Sequence, residues 1–480
     1  MTWFANSETG AKVAPRELIA ISAMTTSQTP SQLLAGSAGI DITPPLTIPY
    51  LGWVPRHAFF EGVHDPLYAK ALALDAGQCR VAIVSADSIG FSKNVAGDDR
   101  DFVAEVRLAI ERECGIPAGN VMLCASHAHS TPETIGIRNL MEHPGTLEWL
   151  HTLKQQLVDV VAAAVRNLSP ARLKSGSLKV EGIARSRRIL GKDGKLYQFR
   201  NLPSEEIVAD WGLCDSELTV LCFESLGGPR TVLAFFSCHP TTVQVQPLVS
   251  ADFPGVAMSR VEQALPECEN SIFIQGAAGD INPVGGNTNF CDVERYAQIL
   301  ADGIIQQVMT LSESDDSISP CELRVASEVV ALPSRELPEL GPLEEERRHA
   351  EEEVRKTSDL EERKQKERQL HRVTEKVERV LRGNAPRLAE VQVIRIGDCA
   401  LVGVPGEPFA EMGLAMKELS GPARALCAGY ANDWLGYLAP PSAWELGGYE
   451  VSLGTWSIVG PEAHQIVLDT AERLVSQLWG

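Results

Sequence analysis

The sequence predicts an α/β fold. Three observations carry that prediction: short apolar runs rich in strand-forming residues, amphipathic stretches of helical period between them, and a polar or histidine-bearing segment where the apolar runs end. The clearest unit is residues 80–87, then 99–114, then 120–125, a strand, helix and strand in succession, which is the βαβ pattern. Its second strand runs into Ser126-His127-Ala128-His129. Folds of this class place their chemistry at strand ends. In an extended backbone, residues two apart point to the same side, so His127 and His129 are expected to offer both imidazoles to one small volume. The plainer alternative for an isolated pair is two satisfied histidines at a strand end.

Taken in order, residues 1–36 read as a loosely ordered tail, and residues 36–45 as a short strand ended by Pro44 and Pro45. A loop with Tyr50, Trp53 and His57 follows. The strand at 80–87 closes on Asp87, a candidate site residue. From 99 to 114, Phe102, Val103, Val106, Ala109 and Ile110 keep helical spacing, with Gly115 as the stop. A second amphipathic helix is predicted over 147–168. Residues 180–198 carry the basic cluster Arg185, Arg187 and Arg188 and the turn Lys192-Asp193-Gly194. A planar guanidinium there suits a carboxylate, a phosphate or a developing oxyanion, although many arginines are only surface charges. The run at 231–240 is another buried strand and ends at His239. Residues 271–283 form a strand running into a Gly-rich turn with Asp280 and Asn282, where small residues allow close backbone approach. A further strand spans 391–404, and Pro405-Gly406-Glu407-Pro408 leads into a helix from Phe409 to about Leu419.

Residues 336–383 stand apart, being dominated by Glu, Arg and Lys. Leu370, Val373, Val377 and Val380 keep a narrow helical stripe, and Thr357-Ser358-Asp359 followed by Glu361 resembles a capping box. We read an antiparallel helical hairpin with a structural or oligomerising role, a lid being the alternative.

Composition bounds the function. Of 480 residues, 44% are hydrophobic and 22% charged, which is ordinary for a globular chain long enough for several domains. The formal net charge of -20 argues against nucleic acid or an anionic membrane as partner. The 11 cysteines are odd in number and without CxxC spacing, so they read as reduced thiols. With no continuous apolar stretch near the N-terminus and none approaching the roughly 20 residues that span a bilayer, a cytoplasmic protein without stable membrane association is expected.

The segments SHAHSTPE, FFSCHPTTV, GAAGDINPV, GVPGEPF and NDWLGYLAPPSAWELGGYE stand in the order in which the neutral ceramidase superfamily carries its histidine pair, later histidine, Asp/Asn turn, PGE glutamate and tyrosine pair. Together they resemble that family's catalytic domain. The resemblance implies a mixed-sheet α/β zinc hydrolase domain at 37–335 and 384–480, interrupted by the charged hairpin at 336–383. It implies Zn2+ held by His127, His239, Glu407 and Tyr437. It also implies that His129, Tyr449 and an arginine of the 185–188 cluster act on the reacting carbonyl. Arg187 lines up best with the family's Asn-Arg segment, and Arg185 is the alternative.

The donor set agrees with zinc chemistry, since imidazole and carboxylate suit the ion and a catalytic site keeps one position open for water. Such water ionises near neutral pH and can attack a carbonyl, with fixed donors stabilising the oxyanion. The implied reaction is hydrolysis of an N-acyl amide bond. Ester, lactone or glycoside-type hydrolysis at the same ion remains open, as does cleavage of ceramide itself. So does a two-metal phosphoesterase using Asp87, Asp252 and Asp280, and a non-enzymatic scaffold stands furthest off. One departure bears on substrate: Thr131, Glu133 and Thr134 replace the family's glycines. A carboxylate there favours a small, soluble, polar or cationic substrate over ceramide, unless Glu133 only caps a helix after Pro132.

Overall fold

The structure, a computed structural model, describes residues 32–49, 59–137, 143–198, 203–244, 246–285, 289–313 and 321–480. Tyr50, Trp53 and His57, and the expected tail as far as residue 31, lie outside them. Regular structure begins earlier than expected: Leu34–Asp41 is a strand, paired antiparallel along its whole length with Tyr68–Asp75.

Eight strands form the main sheet. Their order is Cys268–Gln275, Arg230–Phe236, Glu217–Ser225, Ser169–Lys179, Leu34–Asp41, Tyr68–Asp75, Arg80–Ala86 and Val121–Ala125. The sheet is mixed: both end pairs run parallel and the inner ones antiparallel. A second sheet holds Leu323–Leu332, Arg387–Ile396, Cys399–Gly403 and Arg424–Ala428. The single strand expected over 391–404 is therefore two strands folded back at Gly397, whose φ of 59 permits the tight turn.

The helices are α1 (Phe102–Cys114), α2 (Pro144–Arg166), α3 (Asp252–Ala264), α4 (Phe290–Ser312), α5 (Leu340–Lys356), α6 (Leu360–Leu381), α7 (Ala410–Lys417), α8 (Pro441–Leu446) and α9 (Glu462–Trp479). Local chemistry sets several ends. Asp101 caps α1 through the Ala104 amide, and Gly115 closes it in the left-handed region. Asp359 caps α6 through the Glu362 amide. Among the described residues 133–137 no helix begins, and the next helix given above, α2, starts only at Pro144.

Period-two alternation puts both faces of the main sheet to use. Ala82 and Val84 face α1 and α2, while Val81 and Ile83 face the second sheet through Ile394 and Leu401. The strand pair 217–225 and 230–236 does the same against α3 and α4. Across the second sheet, α7 and α9 pack Met412, Val467 and Leu474 onto Val391, Val393 and Val402. The result is four layers, helix, sheet, sheet and helix. Near-continuous apolar runs are what strands buried on both faces require.

The main sheet bends so that its two ends meet. Ser85 donates its hydroxyl to the Phe273 carbonyl at 2.6 Å. Buried Gln275 donates to the carbonyls of both Ser126 (3.1 Å) and Cys238 (2.8 Å). One side-chain amide thus ties together the segments that follow Val121–Ala125 and Arg230–Phe236.

Helices α5 and α6 emerge between the paired strands Leu323–Leu332 and Arg387–Ile396. The ion pairs Lys366–Glu353 and Lys376–Glu346 join them in antiparallel sense. Most of α5 is exposed, whereas Val373, Glu375, Val377 and Arg379 of α6 are buried.

Candidate active site

His127 follows the strand Val121–Ala125, but not in extended backbone: its φ is 67, in the left-handed region that side-chain-bearing residues rarely occupy. The expectation that strand alternation pairs the two histidines therefore fails in its reasoning. A tight turn does the work, and it still brings His127 Nε2 to 3.2 Å from His129 Nε2. The turn is held by the His127 amide on the Ser88 carbonyl, by the His129 amide on the Pro240 carbonyl, and by Tyr430 stacked on the His127 ring at 4.0 Å.

His239 arrives from the end of Arg230–Phe236. Its amide donates to the Ile281 carbonyl, so the Gly-rich turn and the histidine are mutually fixed. Small residues are required there: a Cβ at Gly279 would stand 2.6 Å from the Glu407 carbonyl oxygen, and one at Gly276 would stand 2.3 Å from the Ser237 hydroxyl. That close approach delivers Glu407 to the histidines. Glu407 and Tyr437 are register partners in the two-residue parallel ladder of Glu407–Pro408 with Tyr437–Leu438. Distant in sequence, they stand side by side.

The ring nitrogens divide their roles. His127 Nδ1 donates to the Ile89 carbonyl at 2.6 Å, and His239 Nδ1 donates to the Ala278 carbonyl at 2.5 Å. Each Nε2 is then left unprotonated with its lone pair pointing inward, the tautomer that a metal ligand needs, and that of His127 accepts from His129 Nε2. Glu407 Oε2 lies 3.5 Å from His127 Nε2 and 3.2 Å from His239 Nε2. The buried His239 Nε2 has no hydrogen-bond partner. Burial pushes both imidazoles well below their ordinary pKa, so they are neutral. Lone pairs and a carboxylate converging without a proton between them are what a cation would occupy. Among the described residues, the ligand nitrogens of His127, His129 and His239 make the one group of three or more metal-binding side chains, all within 4.8 Å of one another. The residues present therefore fit a divalent ion, and His129 stands close enough to be a ligand as well as a proton carrier.

Around this cluster the second layer is polar and buried. Trp434 donates its indole N–H to Glu407 Oε1 at 3.0 Å, and Tyr437 hydrogen-bonds both Glu407 and Arg187. Burial raises the Glu407 pKa, and His127 and Arg187 oppose that rise.

Arg187, not Arg185, lies against the tyrosines, with its guanidinium carbon 5.4 Å from the Tyr437 ring centre and 5.9 Å from that of Tyr449. It donates to Glu450 (2.8 Å), Asn282 (3.1 Å) and the Gly279 carbonyl (2.6 Å). Arg185 instead pairs through its backbone with Asn282 in a short ladder. Arg188 donates to the second oxygen of Glu450 at 2.5 Å. Although burial opposes its charge, the two guanidiniums hold the Glu450 carboxylate below its ordinary pKa.

Sequence reasoning passed over Glu450, Trp434, Tyr430 and Gln275. Each adjoins or lies within a recognised segment, but nothing local marks its role. Asp87, Asp252 and Asp280, offered for a two-metal centre, do not assemble one. Their carboxylates accept the backbone amides of Tyr68, of Val243 and Phe253, and of Ala410, and none joins the histidine group.

Comparison with known proteins places this geometry in a family. The description "neutral/alkaline non-lysosomal ceramidase, N-terminal" matches residues 33–301. Neutral ceramidase from Pseudomonas aeruginosa shares the fold, with a TM-score of 0.67 at 19% identity over 93% of this chain and 75% of that one. A ceramidase complexed with C2 gives 0.66 at 16% identity over the same shares. The match takes in the histidine pair, Arg187, His239 and the Asp280 turn and spans more than half of the chain, so this protein belongs to the neutral/alkaline non-lysosomal ceramidase family.

Proposed function

We propose that the chain is a zinc-dependent hydrolase that cleaves an N-acyl amide bond in a small, soluble substrate. Family membership implies the amide hydrolase. The observation supporting the metal is the inward convergence of two unprotonated Nε2 atoms on a buried carboxylate. In this reading His127, His239, Glu407 and Tyr437 hold the ion, which would polarise the carbonyl and lower the pKa of attacking water.

The remaining roles fall to the chain's own groups. His129, half-buried beside His127, takes the proton from water and hands it to the leaving nitrogen. The Tyr449 hydroxyl and Arg187 stabilise the carbonyl oxygen as charge develops, with Arg187 held in place by Glu450 and Asn282. The net charge of -20 and the buried Glu133 support a polar or cationic substrate over a packed acyl chain. All 11 cysteines are free, which supports a reducing, cytoplasmic setting.

The test is elemental analysis of the purified, active protein together with chelation. About one zinc per chain, with activity lost to a chelator and restored by zinc, is the expected outcome. Active protein without a transition metal would refute the proposal.

A further inference from the structure

Arg379 of α6 is 1% exposed, and among the described residues its charged neighbours are other arginines rather than carboxylates. Its guanidinium is spent on uncharged oxygens: Nε on the Ser457 carbonyl (3.0 Å), Nη2 on the Ile458 carbonyl (2.9 Å) and the Ser334 hydroxyl (3.0 Å), and Nη1 on the Gly383 carbonyl (2.7 Å). Burial, and then the neighbouring Arg387, Arg335 and Arg382, pull its pKa down to about 10. A buried cation without a counter-ion is costly, and an apolar side chain would fill the same space more cheaply. The position therefore calls for a reason beyond packing.

The segment it grips supplies one. Trp456, next to Ser457, stacks on the Tyr449 ring at 4.6 Å and donates its indole N–H to the Tyr449 carbonyl at 2.9 Å. The Tyr437 amide donates to the Trp456 carbonyl at 3.3 Å, and Gly436 bridges to Ser457. A Cβ at Gly436 would stand 1.8 Å from the Trp456 carbonyl oxygen, so the two strips of backbone leave no slack. Both site tyrosines thus hang on residues 456–458.

We propose that Arg379 is a positioning residue: by clamping the Ser457 and Ile458 carbonyls it sets Trp456, and through Trp456 the placement of Tyr449 and Tyr437. The charged helix α6 is thereby coupled to the site without contributing a ligand. This inference rests on the hydrolase reading above, in which the two tyrosines serve the reaction.

The experiment compares full-length, zinc-loaded Arg379→Met, Arg379→Lys, Trp456→Leu and Val377→Ala on a short N-acyl substrate turned over by the wild type. Val377, buried in the same helix, is the matched packing loss. Arg379→Met should lower kcat by about 10- to 100-fold, as misplacement of a reacting group does. Its KM should stay within about twofold, and zinc should be retained, because His127, His239 and Glu407 still hold the ion when Tyr437 is displaced. Arg379→Lys should recover part of the loss, and Val377→Ala should lower the Tm while keeping kcat. Retained kcat in Arg379→Met, or a loss that follows zinc content or is matched by Val377→Ala, overturns the proposal. If Arg379→Met does not fold, Trp456→Leu carries the same test, and unchanged kcat there overturns it equally. A wild type without amidase activity fails the hydrolase reading alone. The coupling is then read from the near-UV circular dichroism of the Trp456–Tyr449 stack, expected to be lost in Arg379→Met and kept in Val377→Ala.

Discussion

At His127 the backbone accepts a left-handed conformation that costs on the order of 1–3 kcal/mol for a residue with a side chain. Such strain persists where the surroundings over-determine it, and here the Ile89 carbonyl, the Ser88 carbonyl and the Tyr430 ring do so. His127→Ala should abolish zinc binding, whereas His129→Ala should keep the metal and lose about 10²–10⁴-fold in turnover, the usual contribution of an acid–base group. Equal zinc loss in both variants would make His129 a third imidazole ligand, a role its place in the cluster also allows. Asp87 gives a different prediction. Burial raises its carboxyl from 3.8 to about 7, so the native state keeps a proton that the unfolded chain has lost across that window. Stability from this position therefore falls as pH rises from about 4 to about 7 and is level outside it. The difference in urea stability between Asp87→Asn and wild type should shift in the variant's favour over the same range. A difference that does not change with pH would contradict the assignment.

At the scale of elements, the local signals were legible. The periodicity of 99–114, the Gly115 stop and the acidic cap of α6 act within one helical turn, so α1 and the start of α6 could be placed without any tertiary information. The fold-back at Gly397 was missed because apolar residues run on from both sides of a two-residue turn, and α3 was missed because Asp252-Phe253-Pro254-Gly255 reads as a turn. The α5–α6 pair divides in two. Its distal part is exposed and held by ion pairs, each worth little, while the last turns of α6 are buried. Replacing residues 351–368 by a short Gly-Ser turn should therefore keep zinc content and kcat, since each doubling of loop length costs only about 0.6 kcal/mol. If the distal part joins copies of the chain, one of the roles read from its sequence, light scattering of the shortened protein will report a smaller species. Loss of zinc on shortening would show that the tip belongs to the core.

For the whole molecule, the decisive feature is the bent main sheet. Gln275 can reach both Ser126 and Cys238 only because strands at opposite ends of the sheet order are brought together, and the histidine cluster forms above that bridge. The chain as a whole carries a formal net charge of -20. Among the described residues no helix is long and apolar enough to cross a membrane. An acidic body steers cationic solutes and is poorly suited to anionic bilayers. We therefore expect kcat/KM to be higher for short N-acyl compounds than for long-chain ceramide in detergent, measured side by side. A clear preference for ceramide would overturn the small-substrate reading and return the chain to the lipid chemistry of its family.

What the sequence by itself determined are the features written in contiguous residues: the α/β alternation, the strand ends bearing His127, His239 and Asp280, the Gly-rich turn, the charged helices and the family resemblance carried by five ordered segments. These depend on period, capping and backbone permissiveness, which act over a few residues. Only the tertiary structure decided which acids and arginines meet. Glu450 between Arg187 and Arg188, Trp434 on Glu407, Glu407 beside Tyr437, and the three aspartates kept away from the histidines all depend on strand register and sheet curvature. The same holds for Arg379, which a helical stripe marks as one more charge in a charged run. Its burial is set by the Ser457–Ile458 turn far along the chain. Burial and hydrogen-bond geometry are properties of surroundings assembled from distant segments, and no local pattern encodes them.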